Sequence, residues 1–228
     1  MAPGRSGDAI WLRPERAPAG RPAQRSRGEI TAAAVAIADR DGLDAVSMRR
    51  VAADLGTGAA SLYRYVDTRE DLLDLMTDST AAEYSLTAPS GYWLADLVEI
   101  GEQARAIMRR HPWLVILVAT RPTLGPHGVA LLEHVLDVLH PHPADPAAKL
   151  EAFAMLNAIT VLFVQSELAG GSAAQQRNAA YLQHIAATGG YPRIAQLFGQ
   201  ALPAPADRYA GILTRVLTGL LGPAPPAR

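Results

Sequence analysis

The chain has no cysteine among its 228 residues. That excludes disulfides, thiolate zinc sites and cysteine nucleophiles. Aromatic residues are scarce at 6 %, although hydrophobic residues reach 49 %. Such a composition predicts helices packed through alanine and branched aliphatic side chains. No stretch reads as a membrane span, so no membrane partner is expected. The N-terminus lacks the apolar region of a secretory signal, and a cytoplasmic location is expected. There is no Gly-x-Ser-x-Gly elbow, no phosphate-cradling glycine loop and no HExxH, so no catalytic residue or cofactor is assigned. His140-Pro-His142-Pro, with Asp137 and Asp145 nearby, is a conceivable metal pair. Without a third defined ligand it reads better as a solvated interhelical turn, and no metal is assigned. Net charge is −1, which argues against a generic polyanion binder.

A chain of this length can bury a real core in one or two domains. Its most informative stretch is 47–66. Ser47 is a good N-cap. Met48, Val51, Ala52 and Leu55 follow at i, i+3, i+4 and i+7, one apolar helical face. Gly56 sits where a helix end needs a left-handed residue. Thr57 and Gly58 complete a short turn, and a second helix is predicted over 59–66. Leu62 and Val66 face inward there; Ala59, Ala60, Ser61, Tyr63, Arg64 and Tyr65 take the other faces. Two short helices around a glycine turn are the layout of a helix-turn-helix reader of double-stranded DNA. Arg64 can donate to a guanine edge or a phosphate, and the tyrosine hydroxyls can bond phosphates. Taken alone, the second helix reads equally well as an ordinary surface helix.

The flanks favour the reader. Ser26 and Glu29 form a capping box, followed by Ile30, Ala33, Ala34, Ile37 and Ala38 at helical spacing. Gly42 ends that helix. Thr68 and Asp71 form a second capping box before Leu72, Leu73 and Met76. Three compact helices and a longer fourth are expected over 26–84.

Over residues 30–76 the chain resembles the DNA-binding domain of the TetR family of transcriptional regulators. Ala33-Ala34, Gly42-Leu43, Ser47-Met48-Arg49-Arg50-Val51-Ala52, Leu55-Gly56, Ser61-Leu62-Tyr63-Arg64-Tyr65-Val66 and Leu72-Leu73 carry the likeness. The resemblance implies an all-α homodimer, with an N-terminal three-helix helix-turn-helix domain before an α-helical ligand-binding and dimerisation domain. It implies that Ser47 bonds a phosphate, that Arg49 reaches a base or phosphate, and that Gly58, Ala59, Ala60 and Ser61 lead the recognition helix. It also implies that Tyr63 and Tyr65 clamp the backbone and that Arg69 meets a phosphate. Gly58 and Ala59 depart from members with larger polar side chains there. Discrimination would then rest on Arg49, Ser61, Arg64 and the basic N-terminal arm, with DNA shape contributing.

Charge is unevenly spread. Residues 1–27 hold six arginines against Asp8 and Glu15, a balance of +4 that leaves −5 for the rest. With its prolines and glycines, 1–25 reads as a basic, flexible arm that follows a phosphate strand, or as a solvated tail. Trp11-Leu12 is an apolar pair suited to docking on the folded body.

After the reader, residues 85–92 form a turn-rich linker within a region spanning 85–222; 223–228 is a frayed tail. Helices are predicted over 93–110, 112–120, 126–140, 144–169, 173–187, 191–201 and 206–221, punctuated by proline and glycine pairs. The helix near 144–169 is apolar around much of its circumference, as is the last helix, and such helices are buried on most sides. By the resemblance, these two build a dimer's four-helix bundle. Trp93, Met108, Trp113, Leu117, Phe153, Asn157 and Gln165 are the candidate lining of a ligand pocket for a small-molecule effector. The aromatics among them read as well as ordinary core, and the two amides as dimer-interface groups.

The favoured reading is a dimeric repressor that sets two readers into major grooves about 34–36 Å apart on a pseudo-palindromic operator and is released by a small apolar or amphipathic molecule. An activator, a ligand-independent regulator, and a helical ligand-binding protein or enzyme with a vestigial reader stay open.

Overall fold

The computed structural model describes residues 9–14, 25–121, 123–170, 173–198 and 208–222. Among the described residues every regular element is a helix. The first four are α1 (Arg27–Asp41), α2 (Met48–Asp54), α3 (Ala59–Leu62) and α4 (Arg69–Ala81). They are followed by α5 (Trp93–Arg110), α6 (Leu114–Thr120), α7 (Pro126–Val138) and α8 (Pro146–Leu168). The last are α9 (Ala173–Ala187), α10 (Pro192–Phe198) and α11 (Arg208–Leu221). Short 3-10 turns lie at Ile10–Leu12 and Leu43–Ala45.

Local chemistry sets many of these boundaries. The Ser26 hydroxyl accepts from the Glu29 N–H at 3.1 Å, and the Glu29 carboxylate accepts from the Ser26 N–H at 2.9 Å. Thr68 and Asp71 repeat the device at the start of α4. Gly42 and Gly56, at φ 84° and 65°, provide the left-handed exits from α1 and α2. Pro126 and Pro146 stand in the first turns of α7 and α8, where a missing N–H costs nothing.

Two cores result. In the first, Ile30, Ile37, Val51, Leu62, Leu72 and Met76 from the N-terminal helices join Met108, Trp113, Leu117 and Val164 from the later ones. The second is built on α5, α7, α8 and α11, around Leu97, Val135, Leu156, Tyr209, Leu213 and Leu217. Tyr209 organises it. Its hydroxyl shares a 2.6 Å hydrogen bond with Thr160, its ring meets Phe163 edge-on, and the Arg105 guanidinium lies 5.1 Å over the ring. Burial pushes its phenol up to about 12. Arg105 also pairs with Glu167 at 2.6 Å, tying α5 to α8.

Several expectations need correction. Regular α-helix in the second motif helix stops at Leu62 rather than Val66; the chain continues through looser turns, with the Arg64 N–H on Ser61 O and the Tyr65 N–H on Leu62 O. The arm is not wholly free. Ile10 is fully buried, and Trp11 is packed against the first core. Arg13 pairs with Asp67 at 2.7 Å and also with Asp71. Arg25 donates to Leu55 O at 2.6 Å, and Arg27 donates to Tyr65 O, Ile10 O and Arg13 O. Arg5, Arg16 and Arg21 of the expected arm, and the expected tail at 223–228, lie outside the described residues.

His142 is not solvated. It is 5 % exposed, sits edge-on to Trp93 with ring centroids 4.9 Å apart, and accepts the Ala144 N–H on Nδ1. Burial, helped by Lys149, holds its basicity below the usual histidine value. Among the described residues no group of three or more His, Asp or Glu side chains is placed to share a metal ion. By length and composition, α8 is apolar enough to cross a membrane, contrary to the reading that no stretch is. One side of it packs along α5, α6 and α11, with Thr160 buried among them, while Leu150, Met155, Leu162 and Leu168 are exposed, so it is not buried on most sides as expected.

Candidate nucleic-acid interface and internal cavity

The surface around α2 and α3 is assembled by caps and small residues. Ser47 Oγ accepts the Arg50 N–H at 3.2 Å, which leaves its own O–H free to donate. Arg49 and Arg50 are exposed; Arg50 pairs with Asp41 at 3.0 Å. Gly58 and Ala60 are exposed, Ala59 and Ser61 half-buried, and Arg64 exposed. Tyr63 is 49 % exposed, so its hydroxyl can project from the same face. Leu62, Tyr65 and Val66 anchor this edge from beneath, each 4 % exposed or less. The face therefore offers the Arg49 and Arg64 guanidinium groups, the Ser47, Ser61 and Tyr63 hydroxyls and a bare glycine–alanine edge that permits close approach.

A cavity of about 870 Å³ lies further along the chain. Its walls come from the second half of α4 (Thr77, Asp78, Thr80, Ala81), from Tyr84, and from α5, α6, α7 and α8. Most of the lining is apolar, including Met108, Leu114, Leu131, Phe153 and Val161. Asn157 and Gln165 of α8 line it as well, as do Asp78 and Arg121. The Asn157 amide donates to Phe153 O at 3.0 Å, which leaves its oxygen and its second N–H as polar handles.

Residues 30–76 match the family described as "Bacterial regulatory proteins, tetR family", and residues 87–222 match "Tetracyclin repressor-like, C-terminal domain". The chain belongs to the TetR family. This regulator is 35 % identical, over 203 residues, to the HTH-type transcriptional repressor DrrR1 of Streptomyces coeruleorubidus. That likeness covers 84 % of this chain and 75 % of DrrR1. Apo ActR of Streptomyces coelicolor superposes with a TM-score of 0.77 at 28 % identity, covering 88 % of this chain and 98 % of ActR. ActR in complex with (S)-DNPA gives 0.76 at 30 % identity, over 87 % and 98 % of the two chains. As a TetR-family member the protein is a DNA-binding transcriptional regulator and not an enzyme.

Within this TetR-family fold, four expected pocket residues, Met108, Phe153, Asn157 and Gln165, do line the cavity. Three do not. Trp93 is buried in the second core against His142. Leu117 is 2 % exposed in the first core. Trp113 is committed elsewhere: its indole N–H donates to Asp39 Oδ1 at 2.6 Å, joining the α5–α6 corner to α1. His111 reinforces that joint, with Nδ1 at 2.7 Å from Asp39 and Nε2 at 2.9 Å from Glu83.

Two DNA-facing expectations change as well. Tyr65 is buried beside Leu62 and Val66, so its ring supports the edge from beneath. Arg69 donates to Val46 O at 2.9 Å and Leu43 O at 3.3 Å, so its guanidinium braces the turn before α2. Sequence reasoning missed Asp78, Arg121 and Tyr84 as cavity residues. Asp78 falls outside the Leu72, Leu73 and Met76 stripe and Tyr84 lies beyond the end of α4, so the apolar spacing did not mark either of them.

Proposed function

We propose that this regulator acts in the cytoplasm as a homodimeric repressor, released from a pseudo-palindromic operator by a small amphipathic ligand. In this reading 26–84 is the reader and 85–222 the ligand-binding and dimerisation region. Ser47, Arg49, Gly58, Ala59, Ala60, Ser61, Tyr63 and Arg64 meet the DNA.

The observation that carries the proposal is the position of α4. Its first turn lies against the reader, where Arg69 braces the Leu43–Val46 turn. Its last turns wall the cavity through Thr77, Asp78, Thr80 and Ala81. A helix of this length spans about 20 Å, enough to make one rigid element common to both places. A ligand that fits only one setting of α4 shifts the reader with it. ActR, crystallised with (S)-DNPA, supports a small organic occupant. For the dimer, support comes from apolar side chains left exposed on α8 and α11, namely Leu150, Met155, Leu162, Leu168 and Leu220. A second copy laid across them would bury them.

The test begins with selection of bound sequences from a random DNA pool by the full-length protein. (S)-DNPA is then titrated with and without the selected operator. Because coupling is reciprocal, operator should weaken its binding on the order of 5–150-fold. Equal affinities would remove the release mechanism, and a monomer on the selected site would remove the dimer.

A further inference from the structure

Asp78 is a buried carboxylate in an apolar cavity, 7 % exposed, and it has no basic partner among the described residues. Among the described residues its one hydrogen bond is from the Gly128 N–H to Oδ1 at 2.9 Å. Gly128 lies in the first turn of α7, which has no cap of its own because Gly125 occupies that place. A Cβ at Gly125 would run into the Asp78 carboxylate and the Trp11 ring, so the glycine is what lets the carboxylate sit there.

Capping accounts for one oxygen only. A neutral Asn, Ser or Thr would cap α7 as well. Oδ2 has no protein partner, yet it is not among the sealed polar atoms of the interior and so keeps accessible surface. The other charged group in the lining, Arg121, is already neutralised by Asp74 at 3.0 Å. The start of α7 faces one oxygen of Asp78, and the other opens into a mostly apolar chamber with no cation beside it among the described residues. A buried charge without a partner is costly, and water or a ligand must supply what the protein does not.

The geometry points to Asp78 Oδ2 as the docking point for a cationic amine, so that the effector is an apolar body carrying an ammonium group. This rests on the ligand-responsive reading above and names the chemical class of its ligand. The amine donates to Oδ2 while Oδ1 keeps its bond to Gly128. The apolar body lies toward Met108, Leu131, Phe153 and Val161.

Three probes of one shape test this on the full-length protein: 1-pyrenemethylamine, 1-pyrenemethanol and 1-pyrenecarboxylate, followed by fluorescence anisotropy. The amine should bind about tenfold or more tighter than the alcohol, since both can donate to Oδ2 but only the amine brings a compensating charge, and the carboxylate should bind weakest. D78N keeps an oxygen for the Gly128 N–H and should bring the amine down to the alcohol's affinity while leaving the alcohol unchanged. An amine no tighter than the alcohol in the wild-type protein, or no binding by any probe, overturns the assignment without recourse to a variant. A preference that persists in D78N overturns it too. Operator occupancy is read in the same titrations. An amine preference lost in D78N, with DNA still bound, would sink the release mechanism and leave the amine site standing.

Discussion

The joint at Asp39 permits a quantitative test. Asp39 Oδ1 receives the Trp113 indole N–H at 2.6 Å and faces His111 Nδ1 at 2.7 Å. Trp113 is 3 % exposed and His111 6 %. In D39A the indole N–H loses its acceptor in a place closed to water, a loss of about 1–3 kcal/mol. His111 retains Glu83, so its share is smaller. W113F deletes the donor itself, and with it any reason for Asp39 to matter at that atom. In a double-mutant cycle by urea unfolding, D39A should therefore cost less on the W113F background than on the wild type. The expected coupling is on the order of 1–2 kcal/mol, beyond the ~0.5 kcal/mol scatter of independent sites. D39N separates the two contacts, because it keeps an oxygen for the indole and loses the charge facing His111. Additive single effects would refute the claim that this bond fastens α1 to the α5–α6 corner.

Other outcomes follow from the same structure. A Cβ at Gly101 would lie 2.5 Å from Leu213 Cδ2 and 2.7 Å from Tyr209 Oη, so G101A should lower unfolding stability by about 1–3 kcal/mol through overpacking where α5 meets α11; an unchanged urea midpoint would contradict that. His142 is held below its ordinary basicity by burial, so the unfolded chain takes up its proton first as pH falls. Its stabilising effect is complete above the ordinary histidine range and is lost as pH drops toward the lowered folded value. Thermal melts from pH 8 to pH 5 should show H142Q losing less stability on acidification than the wild type, and parallel curves would exclude His142 as a source. R64A should change which sequences are selected from a random pool, whereas Y63F should weaken all of them alike; the opposite pattern would reverse the roles given to these side chains.

What the sequence made legible was local. The Ser26–Glu29 and Thr68–Asp71 boxes close within four residues, and Pro126, Pro146, Gly42 and Gly56 act on their own backbone, so those boundaries needed no tertiary knowledge. Tyr65 was misplaced: it was set on an outer face of the second helix, yet it stands three residues after Leu62 and its ring is buried with Leu62 and Val66. The fate of the arginines was not legible. Whether Arg13, Arg25 or Arg69 meets a phosphate or a protein oxygen is decided by Asp67, Leu55 and Val46, all distant in sequence. The cavity shows the same limit. Phe153 and Trp113 look alike in an apolar stripe, yet one lines the chamber and the other is drawn away by Asp39.

The turn at Ile10–Leu12 bears on how the chain becomes folded. Its seat includes the Trp11 contact at Gly125 and the Arg13 pairs with Asp67 and Asp71. During synthesis this segment leaves the ribosome long before Gly125 does. The N-terminal helices can collapse as soon as they emerge and already offer this segment its Asp67 and Asp71 partners, but the Trp11 contact at Gly125 forms only once α7 has followed. An early-made stretch of chain thus completes its seat late, and a bulky fusion placed ahead of it would act on that closing contact.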